Sequence, residues 1–138
     1  MLKKKINSRD FRRYGRVIEY PGKEKKGTQK NLFRIVLKET GKTGWRIAYL
    51  IVRDRKIRRL EQHPYSFESF EPVKGRSLLY VAARKDEKAI ECFHLDKPII
   101  LKKGVWHGVV TLSPETEIKI SENKDVKCVY WPLSAVLP

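Results

Sequence analysis

Short apolar runs follow one another along most of this chain, and turn-forming residues separate them. The runs are rich in β-branched and aromatic residues, which favour strands, and their short, regular spacing is typical of sandwiches and barrels. No long helical period appears after Gly15. The sequence therefore predicts an all-β fold, a double-stranded β-helix or jelly roll. The predicted strands are 32–37, 45–52, 57–63, 66–71, 77–84, 89–94, 98–101, 105–112, 117–121 and 126–131.

Several segments among the first 52 residues predict particular local structures. The run at 45–52 is apolar on both of its alternating faces, which predicts a strand that is buried on both sides. The glycine-containing segment 41–44 predicts a hairpin turn before it. Near the N-terminus, Ser8 is a suitable cap for a short helix that ends at Gly15. A charged loop is expected at 22–30.

The length of 138 residues and an apolar content of 41% predict one folded domain spanning 1–138. We assign 1–30 to a basic N-terminal helix and loop, and 31–138 to the β-barrel. No apolar run has the length of a membrane span, and the basic start has no apolar segment behind it. Cys92 and Cys128 form no Cys-x-x-Cys motif, which favours two buried thiols in a cytoplasmic protein.

Charge is distributed unevenly along the chain. The net charge is +15, and residues 1–60 hold 20 Lys and Arg against 5 Asp and Glu. The remaining 78 residues hold 11 of each, so the whole excess precedes residue 61. Such an asymmetry is typical of a protein with an acidic partner, nucleic acid included, but also of a solvated basic face that keeps a protein soluble.

A small set of side chains could form a site inside the barrel. Side chains two positions apart face the same side of a strand, so Glu61 and His63 project together. Glu68 can join them across a hairpin, and His107 can join them from a later strand. Two imidazoles with one or two carboxylates suit a divalent ion such as Zn, Mn, Fe or Ni. The alternative is that the histidines are hydrogen-bonded core residues and that Glu61 pairs with Arg59.

The spacing of these residues resembles the two motifs of the cupin superfamily. Glu61 and His63 occupy the positions of the His-x-His pair in the first motif. Glu68 and Gly75 follow at the spacing of that motif, and His107 matches the histidine of the second motif. The resemblance implies a cupin barrel with its site in the interior.

Within that superfamily the chain is most similar to the ureidoglycolate lyases. Glu68 stands where that family usually has Gln, Lys102 where it has His, and Gly108 where it has a second His. The resemblance is carried by four segments: 14–19 (Tyr-Gly-Arg-Val-Ile-Glu), 61–64 (Glu-Gln-His-Pro), 70–75 (Phe-Glu-Pro-Val-Lys-Gly) and 104–107 (Gly-Val-Trp-His).

The lyase resemblance implies that ureidoglycolate is cleaved at a C–N bond to glyoxylate and urea, as a step of allantoin catabolism. A base must take the hydroxyl proton, and an acid must protonate the departing nitrogen. His63, Glu68 and His107 are the candidates, in either assignment of roles. The substrate carboxylate needs a cation. The candidates for that contact are Arg53, Arg59 and Lys102.

A metal and a partner subunit are further expectations. A divalent ion would be held by some or all of Glu61, His63, Glu68 and His107, and would stabilise the substrate alkoxide. The cupin resemblance also implies a homodimer. Two other functions remain open, namely a non-catalytic ligand-binding or regulatory cupin and, with less support, a protein that binds nucleic acid or another polyanion.

Overall fold

The computed structural model of the chain describes residues 1–18, 23 and 44–138, and within these residues the strands form two sheets. In spatial order, the six-stranded sheet contains β1 (Lys3–Lys5), β7 (Glu91–His94), β6 (Ser77–Ala82), β9 (Trp106–Thr111), β4 (Ile57–Gln62) and β11 (Val129–Leu137). The five-stranded sheet contains β2 (Gly15–Val17), β8 (Ile99–Leu101), β5 (Glu68–Lys74), β10 (Thr116–Asn123) and β3 (Trp45–Val52). The predicted all-β cupin jelly roll is confirmed.

The six-stranded sheet is covered on both faces, as the alternation along β6 demonstrates. Leu79 and Val81 belong to the core between the two sheets, together with Phe70 of β5. Leu78 and Tyr80 point the other way, into a second apolar cluster. Because neighbouring residues of a strand face opposite sides, every residue of β6 is buried.

The second cluster contains the aromatic pair that flanks the later motif. Trp106 of β9 is 6% exposed and meets Trp131 of β11 edge to face, with ring centroids 5.5 Å apart. The same alternation turns His107 toward the space between the sheets. Packing of Trp106 on the outer side of β9 therefore fixes the direction of His107.

The prediction that 45–52 is buried on both sides is wrong. On the outer face of β3, Trp45, Ile47, Tyr49 and Ile51 are between 45% and 71% exposed. Within the described residues, β3 is the edge of its sheet and pairs only with β10. On the inner face of β3, Ala48 and Leu50 are partly buried and pack against the core.

The N-terminal segment contributes strands as well as a helix. Helix α1 (Ser8–Phe11) is shorter than predicted, and its cap is Asn7, whose side chain accepts a 2.9 Å hydrogen bond from the Asp10 N–H. Phe11 anchors it in the core by packing edge to face on Phe93. Strands β1 and β2 were missed from the sequence, so part of the segment assigned to an N-terminal helix and loop belongs to the sheets.

The ends of several strands also differ from the predicted ends. Strand β5 begins at Glu68 and continues to Lys74, β10 continues to Asn123 and β11 to Leu137, because each pairs with a neighbour beyond its predicted end. A 3₁₀ turn, Glu87–Ala89, replaces the predicted start of β7. The predicted strand 32–37 lies outside the described residues, as do nearly all of the loop 22–30 and the turn 41–44. None of the described helices is long and apolar enough to cross a membrane.

The contact between β2 and β8 generates a stability prediction. Gly15 pairs with Leu101, and a Cβ at Gly15 would collide with the backbone carbonyl oxygen of Ile100. We expect Gly15→Ala to lower the free energy of unfolding by about 1–3 kcal/mol, because the backbone must move. Chemical denaturation measures this change. Gly44→Ala is the control, since its Cβ would meet only the Lys124 side chain, at 3.4 Å or more; equal losses in both variants would contradict the prediction.

Candidate active site

Side chains from both sheets meet in the space between them. Glu61 of β4 lies directly opposite His107 of β9 in the six-stranded sheet. His63 follows the end of β4, and Glu68 is the first residue of β5 in the facing sheet. The structure therefore brings together all four residues proposed as catalytic or metal-binding. The side chains of His63, Glu68 and His107 are only 3–6% exposed, whereas that of Glu61 is 37% exposed.

Glu68 is the centre of this cluster. Its Oε2 lies 2.5 Å from His63 Nε2 and 3.7 Å from His107 Nε2. Glu61 approaches from the side, with Oε1 3.7 Å from His107 Nε2. The two imidazole rings are 5.1 Å apart, and Phe70 closes the apolar side with its ring 5.6 Å from that of His107.

Backbone carbonyls orient both imidazoles. His107 Nδ1 lies 2.9 Å from the carbonyl oxygen of Val105, and His63 Nδ1 lies 3.2 Å from that of Lys127. A carbonyl oxygen can only accept, so in each ring Nδ1 carries the proton and donates. Both Nε2 atoms are consequently directed at Glu68.

The charges within the cluster shift the pKa values of two of its members. Burial alone would lower the pKa of His63, but the hydrogen bond and charge of Glu68, the Lys127 carbonyl and the charge of Glu61 raise it above 6.5. Burial would raise the pKa of Glu68. Its hydrogen bond to His63 and the positive charges of His107, His63 and Arg46 outweigh burial and lower the pKa below 4.5. Both shifts favour the charged forms, so the close contact pairs an imidazolium with a carboxylate whenever His63 is protonated.

The cluster has the donor set and the free atoms of a metal site. His63, Glu68 and His107 each offer one ligand atom, and these atoms lie within 4.8 Å of one another. Among the described atoms, His107 Nε2 has no hydrogen-bond partner although it is buried. Buried polar atoms are rarely left without a partner. Two imidazoles and a carboxylate on one side of a cavity fit a divalent transition metal.

The cluster opens into a cavity of about 780 Å³ between β3 on one side and β4 and β11 on the other. The cavity is rich in cations. Arg53 and Arg59, two of the residues proposed to bind substrate, line it. Arg53 Nη2 forms an ion pair with Glu115 Oε2 at 3.1 Å. The Arg59 guanidinium stacks on Tyr130, 4.1 Å from the ring centroid. Further cationic lining residues are Arg46, Lys56 and Arg58.

Lys102, the third residue proposed to bind substrate, does not line this cavity. It is exposed in the turn between β8 and β9, and its backbone N–H donates to the carbonyl of Tyr14 at 2.7 Å. The Lys102 side chain is exposed outside the cavity, so its contact with the substrate stays a prediction that the cavity lining does not support.

Sequence reasoning missed three side chains that line the cavity, namely Arg46, Glu122 and Cys128. Cys128, expected to be buried, is exposed, with Sγ 3.6 Å from His63 Nδ1. Glu122 is 5% exposed and forms an ion pair with Arg46. Glu122 continues the inward alternation of Ile118 and Ile120, which would have identified it if the strand had been extended beyond residue 121.

The model of one known family, described as ureidoglycolate lyase, matches residues 1–126 of this sequence. The chain belongs to the ureidoglycolate lyase family. The predicted family resemblance is thereby confirmed. No curated protein matches the sequence.

Solved structures extend this family assignment to the fold. Oxalate decarboxylase of Bacillus subtilis is similar in its structure at pH 4.6 and in a structure used to assign its Mn(II) centres. In both, the TM-score is 0.50, the sequence identity is 18%, and the match covers 66% of this chain and 24% of the decarboxylase. This member of the ureidoglycolate lyase family thus spans about a quarter of the decarboxylase and shares its cupin fold.

The ion pair gives a pH prediction for the metal-free protein. His63 contributes stability below about pH 6.5 and loses it as the pH rises through its higher folded pKa. Glu68 contributes above about pH 4.5 and loses stability as the pH falls through its lower folded pKa. The pair therefore stabilises the fold most between these two values. In Glu68→Gln, we expect the pKa of His63 to fall, because the carboxylate charge that counteracts the effect of burial is lost.

Imidazole resonances followed by NMR from below about pH 4.5 to well above pH 6.5 measure the pKa of His63. Glu117→Gln is the matched control, because Glu117 is an exposed partner of the Tyr49 hydroxyl at 3.2 Å. An unchanged pKa in Glu68→Gln would mean that the carboxylate does not act on the ring.

Proposed function

We propose that this protein is a C–N lyase that cleaves ureidoglycolate to glyoxylate and urea. The observation that carries the proposal is a buried carboxylate, Glu68, faced by Nε2 of both His63 and His107 at the inner end of a cationic cavity. A small anion would be attracted by the cavity and would meet proton donors and acceptors at its end. Membership of the ureidoglycolate lyase family supports this reaction.

The hydrogen bonds of the two imidazoles support one assignment of the acid and the base. His107 Nδ1–H donates to the Val105 carbonyl, so in the neutral form of the ring the Nε2 lone pair has no partner among the described atoms. We assign His107 as the base that takes the substrate hydroxyl proton. His63, whose pKa is raised, is the acid. Glu68 stabilises the imidazolium on either ring and stays ionised.

The reaction then balances in one sequence. The hydroxyl proton moves to His107 Nε2, and the electrons of the O–H bond form the new carbonyl of glyoxylate. The C–N bond breaks, and its electron pair takes a proton from His63 Nε2, which releases urea. Phe70 limits the water that reaches this end of the cavity, which strengthens each electrostatic contact.

A divalent metal is an alternative to this proton assignment, because it would occupy the same two Nε2 atoms. His63, Glu68 and His107 would hold it, and when bound it would supply Lewis-acid stabilisation of the alkoxide. The Nε2 atoms would then be ligands, and Glu61, whose side chain is 37% exposed, would remain as the proton acceptor beside them. Mn²⁺ is the first ion to test, since a structure of the oxalate decarboxylase concerns Mn(II) centres; Zn²⁺, Fe²⁺ and Ni²⁺ suit the same donors.

Assembly as a homodimer, a cytoplasmic location and a role in allantoin catabolism remain predictions. The exposed apolar side chains on β3 support the first of these, since an apolar strand at a sheet edge is usually covered. The non-catalytic cupin is the second candidate function. It would bind the same small carboxylate without turnover, and the experiment below separates it from the lyase.

Urea release from ureidoglycolate tests the lyase. We expect the wild type to release urea and His107→Gln to lose about 10²- to 10⁴-fold in kcat, the usual contribution of a general base. His94→Gln is the matched control, because this third histidine lies on β7 and does not line the cavity. Binding without urea release would favour the non-catalytic cupin. Full activity in His107→Gln would exclude the assigned base.

Metal binding is tested without reference to activity. We expect calorimetric titration of the metal-free protein with Mn²⁺ to give one site, and His63→Gln to weaken it strongly because a nitrogen ligand is lost. His94→Gln serves again as the control. Equal affinity in His63→Gln and the wild type would show that the ion binds elsewhere, and no binding of any of the four ions would exclude the metal.

A further inference from the structure

Three charged residues form a row across neighbouring strands of the five-stranded sheet. Arg46 of β3 lies directly opposite Glu122 of β10, and Glu122 lies directly opposite Glu68 of β5. Residues opposite each other on paired strands project to the same face. All three line the cavity, so this charged row leads from the edge strand to the centre of the active site.

Glu122 holds the guanidinium of Arg46 in place. The Nε and Nη2 atoms of Arg46 lie 2.9 Å and 2.8 Å from the same oxygen, Glu122 Oε2. Glu122 is 5% exposed, and a buried carboxylate needs a charged or hydrogen-bonding partner. The Arg46 side chain remains 51% exposed. One end of the pair is therefore fixed in the protein, and the other faces the cavity.

The guanidinium keeps donors for a ligand. Arginine has five N–H groups in a fixed plane, and two of those of Arg46 are directed at Glu122. Within the described residues no other acceptor takes the remaining three. Such donors match the two oxygens of a carboxylate. The charge on Arg46 already reaches the cluster, because it is one of the charges that lower the pKa of Glu68.

The spacing suits a small substrate. Two strand separations, roughly 10 Å between backbones, lie between Arg46 and Glu68, and both side chains extend into that distance. A carboxylate held by Arg46 would leave the adjacent carbon within reach of the imidazoles. The two lining cations predicted from the sequence are less well placed, because the Arg53 side chain is 73% exposed and bound to Glu115, and Arg59 stacks on Tyr130.

We propose that Arg46 binds the substrate carboxylate, that Glu122 is the residue that positions it, and that the pair restricts the site to small 2-hydroxy carboxylates. This assignment rests on the proposed use of the cavity, but it does not require turnover. The competing role for Arg46 is structural, namely to compensate the two adjacent carboxylates, Glu68 and Glu122. The two roles differ in one respect, because only a carboxylate anchor distinguishes a charged ligand from a neutral one.

The experiment uses ligands that differ only at that group. Glycolate and glycolamide share a hydroxyl-bearing carbon, and one carries a carboxylate where the other carries an amide. Binding is followed by NMR chemical shifts, and kcat/KM for ureidoglycolate is measured in parallel. The variant is the double substitution Arg46→Gln with Glu122→Gln, which removes both charges of the pair and leaves neither partner unpaired. Arg84→Gln is the control, since Arg84 forms an exposed pair with Asp86 and does not line the cavity.

We expect the double variant to bind glycolate at least about 30-fold more weakly, as befits loss of hydrogen bonds to a charged group, and to bind glycolamide as the wild type does. The value of kcat/KM for ureidoglycolate should fall by a similar factor, mainly through KM. Glu122→Gln alone, which keeps the guanidinium but loosens it, should give an intermediate loss for glycolate. Arg84→Gln should match the wild type throughout.

The outcomes separate this assignment from the lyase. Selective loss of glycolate binding without ureidoglycolate turnover in the wild type would support the anchor and remove the lyase. The anchor would be overturned if the double variant lost glycolate and glycolamide affinity equally, or lost affinity for neither. Turnover of ureidoglycolate by the wild type would in that case leave the lyase standing. A wild type that neither binds glycolate nor turns over ureidoglycolate would overturn both.

Discussion

The contact between Glu68 and the two imidazoles is the constraint on which the rest of the site depends. Glu68 belongs to the five-stranded sheet, whereas His107 belongs to β9 of the facing sheet and His63 to the turn beyond β4. Removing a carboxylate from water is costly unless positive charge and hydrogen bonds replace the solvent. The two sheets must therefore face each other in the one arrangement that brings the rings to Glu68, and the backbone carbonyls of Val105 and Lys127 keep those rings turned inward.

Much of the fold could be predicted because it follows from local chemistry. Alternation of apolar residues and the turns between them indicated the sheets, and the spacing of His63, Glu68 and His107 indicated a shared interior site. Trp106, next to His107 in the sequence, packs on the opposite side of β9, as the alternation of a strand requires. Each of these inferences needs only the period of a strand and the type of the residue.

The errors concern properties that arise between distant segments. Strand β3 has the composition of a buried strand, but its outer side chains are exposed and, among residues 1–18, 23 and 44–138, it is the last strand of its sheet. Lys102 was one of three candidate cations for the substrate, and its exposed position in the turn after β8, outside the cavity, could not be predicted from its residue type. The pairing of Arg46 with Glu122 depends on the register of β3 against β10, which no local pattern encodes.

The adjacency of Glu68 and Glu122 on neighbouring strands has a consequence for how this protein can change over evolution. Two carboxylates side by side in the interior repel each other unless cations accompany both. Loss of Arg46 alone would leave Glu122 as an uncompensated charge beside the reaction centre. A lineage that abandons anionic ligands must therefore replace Arg46 and Glu122 together, and related sequences are expected to exchange the two positions as a couple.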